Sequence, residues 1–132
     1  MNATIFFGSK PKNEKFTLTF NESDNLLNYK YVNQIDTTKT ITIRKIKDSD
    51  SLLFGFEKFI KNNKRPFVND ELQSLEFEFY DMENYADDGT GPILFNPTYG
   101  LLAINNVFGP TIIFLNKRND SLTEEIVIKL NE

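Results

Sequence analysis

The chain has 132 residues, with 19 Asp and Glu against 15 Lys and Arg and a formal net charge of -4. It contains no Cys, His or Trp, which excludes thiol chemistry, His-assisted nucleophiles and His or Cys metal sites. Its length is that of one globular domain, 1–132, whose core needs no disulfide or metal to hold it together.

The opening residues Met1 to Lys10 lack a basic start, and their apolar run ends after Ile5-Phe6-Phe7, so they read as a first strand and not as a signal peptide. Lys15 to Phe20 alternates strictly, with Phe16, Leu18 and Phe20 on one face and Lys15, Thr17 and Thr19 on the other: a half-buried strand. Ser23 onward reads as a turn leading into a strand at Tyr29-Lys30-Tyr31-Val32, and Thr40 to Arg44 repeats the alternation through Ile41 and Ile43. From Asp50 the period changes. Leu52, Leu53, Phe56, Phe59 and Ile60 fall at helical spacing, Asp48, Ser49 or Asp50 can cap the start, and Lys58, Lys61 and Lys64 cluster toward the end. This predicts one amphipathic helix near residues 50–62, stopped by Asn62-Asn63 and Pro66.

Leu75 to Phe79 alternates again, and Asp87 to Pro92 is a tight Gly- and Pro-containing turn. Tyr99 to Ile104 and Thr111 to Leu115 read as a hairpin joined through Asn105 to Pro110, and Glu125 to Leu130 as a last strand after a turn at Lys117 to Asp120. The pattern predicts a β-dominated α+β fold, an antiparallel assembly of about 6–8 strands covered by the 50–62 helix, with an all-β sandwich or barrel as the alternative. The longest apolar run, Val107 to Leu115, is broken by Gly109-Pro110 and falls well short of the roughly 20 residues of a membrane span. No membrane partner is expected, and the lack of Cys suits a reducing cytoplasm.

Charge is unevenly distributed. Met1 to Val68 carries 12 Lys and Arg against 7 Asp and Glu, and Asn69 to Glu132 carries 3 against 12. Asp70, Glu71, Glu76, Glu78, Asp81, Glu83, Asp87 and Asp88 follow one another with no Lys or Arg between them. If Leu75, Phe77 and Phe79 point inward, Glu76, Glu78 and Tyr80 project outward together, and Asp81, Glu83, Tyr85, Asp87 and Asp88 extend the same acidic, Tyr-dotted face. Aromatic anchors amid one sign of charge are the chemistry of a protein interface, and acidic charge steers a basic partner.

The enzymatic readings are thinner. Glu76 and Glu78, two apart on a strand, stand about 7 Å apart at the backbone, a spacing that suits paired carboxylates but that any acidic strand face produces. Asp87-Asp88-Gly89 lacks the acidic alternation and distal Glu of a calcium loop, so neither metal nor cofactor is expected. Arg44-Lys45-Ile46-Lys47 is too short for a nucleic-acid stripe in so acidic a chain. The expectation is a non-catalytic protein-binding module. An immunity or antitoxin-type inhibitor that covers a basic toxin domain, such as a nuclease effector, is the leading form. A β-rich adaptor that self-associates as a homo-oligomer and a small carbohydrate-binding or hydrolytic module are the alternatives.

Overall fold

In the computed structural model, residues 1–132 are described apart from 8–9, 85–89, 107–109 and the side chain of Phe7. The described residues form ten strands: β1 (Asn2–Phe7), β2 (Lys10–Glu22), β3 (Leu26–Asn33), β4 (Thr40–Ile46), β5 (Ser51–Phe54), β6 (Glu57–Lys61), β7 (Glu78–Met82), β8 (Thr90–Asn96), β9 (Gly100–Asn106) and β10 (Thr111–Leu115). Each pairs antiparallel with its neighbour in sequence, and β1 closes against β10, giving an up-and-down barrel without a free edge. A short 3-10 helix (Asp70–Leu72) interrupts the long β6–β7 connection, and one α-helix, α1 (Asp120–Leu130), follows β10. The barrel realises the all-β alternative with more strands than expected, and the expected hairpin between Tyr99 and Leu115 is β9–β10.

The period-2 pattern fills the interior. Phe16, Tyr29, Tyr31, Ile43, Leu52, Phe59, Tyr80, Ile93, Phe95 and Phe114 form one buried cluster. Edge-to-face pairs such as Phe16–Phe114 at 5.4 Å and Tyr29–Phe95 at 5.1 Å lock the rings together. The outer face of β2 to β4 carries Thr19, Lys30, Thr42 and Arg44, so on these strands polar groups lie outside and the aromatic core inside, the reverse of a lipid-embedded barrel. No described helix is long and apolar enough to cross a membrane.

A second buried cluster lies outside the barrel wall. Phe77, Phe79, Leu94, Leu102, Ile113 and Leu115 turn outward and are covered by Leu122, Ile126 and Leu130 of α1 and by Phe67 and Leu72 of the β6–β7 connection. The helix starts where Asn119 accepts a hydrogen bond from Leu122 N at 3.0 Å, and Leu122, Ile126 and Leu130 recur every four residues along its buried face.

Two elements differ from expectation. Residues 50–62 are not a helix but the hairpin β5–β6, with Leu52 opposite Phe59 and Ser51 opposite Ile60. Leu52, Leu53, Phe56, Phe59 and Ile60 satisfy helical spacing, yet in the hairpin about Gly55-Phe56 only Leu52 and Phe59 of them pair, with Leu53 opposite Lys58 and Ile60 opposite Ser51. Gly55 decides between them: at φ 60° it adopts the left-handed conformation that opens a two-residue hairpin turn and that a helix interior would not hold. Conversely, Glu125 to Leu130 is helical. Its apparent alternation ran through Ile128, which stays 55% exposed, whereas the true buried stripe begins at Leu122, before the window that alternates.

Candidate functional site

Among the described residues, the acidic stretch does not form one face. Glu71 accepts from Asn119 Nδ2 at 2.7 Å and Asp70 from Ser74 Oγ at 3.2 Å, near the start of α1. Glu76 is exposed and lines a groove of about 730 Å³ that also holds Lys64, Arg65 and Lys129. Glu78 is half-buried and shares the inward register with Tyr80. Tyr80 itself, expected on the outer face, is only 3% exposed and belongs to the barrel interior. The expected facing of β7 is inverted because Phe77 and Phe79 find their apolar cover under α1 and not inside the barrel. Tyr85, Asp87 and Asp88 lie outside the described residues.

Asp81 and Glu83 remain together on an exposed outer strip. Asp81 stands opposite Ile60 in the β6–β7 register and accepts from Asn62 Nδ2 at 2.8 Å. Two residues along each strand, Glu83 N donates to Lys58 O at 2.9 Å, and the Lys58 ammonium lies 3.9 Å from the Glu83 carboxylate. Continuing along β6, the next residue on this side is Phe56 in the turn, which is fully exposed. Ile60 is 39% exposed. The strip therefore reads apolar, charged, apolar along β6, with two carboxylates beside it. Sequence reasoning missed Phe56 and Ile60 by placing both on the packed face of a helix. The Gly-Phe pair between two apolar pairs was the available signal for a hairpin tip.

The phenols inside the fold are chemically quiet. Burial pushes Tyr29, Tyr31 and Tyr80 up to about 12, and neighbouring Glu78 adds to the effect on Tyr80. Tyr99, raised further by burial, donates to Phe114 O at 2.6 Å. Tyr31 accepts from Leu101 N at 2.9 Å, tying β3 across the interior to β9. At the end of the barrel where β3 turns into β4, Glu14 accepts from Asn33 Nδ2 and lies 3.1 Å from Lys12 and 3.3 Å from Lys39. Burial raises its carboxyl, but the two lysines outweigh that and hold it below its ordinary value. Asn33 in turn accepts from Ile35 N and Asp36 N, each at 2.9 Å, so this network fixes the β3–β4 loop.

Among the described residues, no three acidic side chains gather closely enough to hold a metal ion. A cleft of about 640 Å³ beside the start of α1 is lined by Glu71, Tyr99, Lys117 and Arg118, of mixed charge. Compared with known proteins, the chain matches no family model, no curated protein and no solved structure.

Proposed function

We propose that the chain is a non-catalytic protein-binding module that docks a basic partner through Phe56, Ile60, Asp81 and Glu83, in the manner of an immunity-type inhibitor covering a toxin domain. The observation that carries this reading is the fully exposed Phe56 at a hairpin tip, in line with Lys58 and Ile60, with Glu83 beside Lys58 and Asp81 opposite Ile60. A protruding aromatic with an apolar neighbour supplies the desolvated centre of an interface, and the surrounding charges supply its rim and its steering. The non-catalytic part is supported by the dispersal of the carboxylates and by phenols whose burial keeps them protonated. Glu76 and Glu78 are set apart by register, the former exposed and the latter half-buried, and do not face one gap as a catalytic pair would. Self-association by strand pairing has no support in a closed barrel, because closure removes the edge that pairing needs. The test is affinity capture from the native host, followed by titration of the recovered partner against the wild type and Phe56→Ala/Asp81→Lys/Glu83→Lys. The partner should be basic, bind the wild type more weakly as salt rises, and lose the variant by about a hundredfold or more. Equal affinity for the two forms refutes the proposal.

A further inference from the structure

We propose that the outer face of β2, β3 and β4 is a second binding site, for a saccharide that carries sulfate or phosphate esters. The register sets two rows of side chains across these strands: Thr19, Lys30 and Thr42 in one, Asn21, Asn28 and Arg44 in the next. These six residues line a shallow depression of about 330 Å³ that contains no Asp or Glu. Lys30 and Arg44 sit on diagonal positions of adjacent strands, about 7–8 Å apart at the backbone, close enough for both to reach one ester group. Both are exposed. Among the described residues neither has a carboxylate within 4.0 Å. In a chain with 19 acidic residues, a two-row patch of cations, hydroxyls and amides left without a counter-charge is suited to an external oxyanion.

The remaining groups select a saccharide over other polyanions. The Thr19 and Thr42 hydroxyls both donate and accept, as sugar hydroxyls require, while Asn28 Nδ2 donates to Asn21 Oδ1 at 3.0 Å and holds the two amides side by side. The Arg44 fork matches a tetrahedral ester. The depression is lined by no aromatic ring on which a nucleobase could stack. The site shares no residue with the Phe56 strip and stands independently of it.

The test is calorimetric titration of the full chain with a sulfated oligosaccharide, a phosphorylated oligosaccharide, the de-esterified sugar and a single-stranded oligonucleotide of matched charge. One or both esters should bind saturably, and the tighter of them names the source of the oxyanion. The de-esterified sugar should not bind, and the oligonucleotide should bind at least about tenfold more weakly. Lys30→Gln/Arg44→Gln should cost about tenfold or more, while Arg65→Gln/Lys117→Gln, which removes the same charge from other exposed positions, should cost less than about twofold. Unchanged thermal unfolding of both variants guards against misfolding. No saturable binding of either ester, equal losses in the two variants, or an oligonucleotide that binds as tightly as the esters would each overturn the assignment.

Discussion

Gly100→Ala is predicted to be the most damaging single-methyl change in the barrel. Gly100 opens β9 at φ 95°, a backbone conformation that costs any L side chain about 1–2 kcal/mol. Its added Cβ would sit 2.6 Å from the Tyr31 hydroxyl and 3.1 Å from Tyr29 Cδ2. Tyr31 has little room to retreat: it is fully buried and stacked on Phe114 at 4.4 Å, and its hydroxyl accepts from Leu101 N. Displacing it leaves that buried N–H unpaired at about 1–3 kcal/mol, and overpacking adds a similar amount. Together the losses amount to about 3–8 kcal/mol, or a fall of roughly 10–30 °C in Tm. Urea and thermal unfolding of the wild type and variant measure this directly. Tyr31→Phe removes the clashing oxygen, so Gly100→Ala should cost about 1–2 kcal/mol less in that background. A loss below about 1 kcal/mol, or strict additivity in the cycle, would refute the packing described here.

Other expectations follow from the same geometry. Gly55→Val should destabilise by more than Gly55→Ala, itself about 1 kcal/mol, and Gly55→Asn should be nearly neutral, since only left-handed tolerance matters where no atom lies within 4 Å of the added Cβ. Asn119→Ala should cost about 1–2 kcal/mol in urea unfolding by removing both the cap of α1 and the bond to Glu71. Tyr29, Tyr31 and Tyr80 titrate at about 12 when folded and at the ordinary value of 10.0 when unfolded. Stability should therefore be intact below pH 10 and fall as pH rises toward 12, with phenolate absorbance lagging until the chain opens. Glu14 has the opposite sign: its stabilisation is present above the ordinary carboxyl value of 4.5 and lost as pH falls through its lower folded value, so acid should first release amide protection in the β3–β4 loop, and Glu14→Gln should abolish that early step.

Much of the barrel was legible because period 2 is a direct record of an inside and an outside. Phe16 and Leu18, Ile41 and Ile43, and the β9–β10 pair all took their expected form. Closure was not legible, because nothing in β1 or β10 alone announces that they pair across most of the chain. The hairpin at 51–61 was hidden by apolar residues at 52, 53, 56, 59 and 60 that satisfy helical spacing, and α1 by a short stretch that mimics a strand. Where both faces of a strand are buried, as in β7, alternation no longer says which set points inward, so Tyr80 and Phe79 exchanged roles. The opposition of a basic first half and an acidic second half was real in sequence. The fold interleaves it, bringing Lys58 beside Glu83 and Lys64 within 2.7 Å of the Glu132 carbonyl. Among the described residues, the expected acidic site consequently contracts to Asp81 and Glu83, joined by two apolar side chains that patterning had assigned to a core.

The most direct test of the proposed function is the affinity of the captured basic partner for the wild type and for Phe56→Ala/Asp81→Lys/Glu83→Lys, measured at low and moderate salt alongside unfolding of both proteins. All three changes lie on exposed positions, so stability should stay within about 0.5 kcal/mol per site. Binding should weaken with salt for the wild type and be lost for the variant while its fold persists. A stable variant that binds with wild-type affinity and the same salt dependence would contradict it.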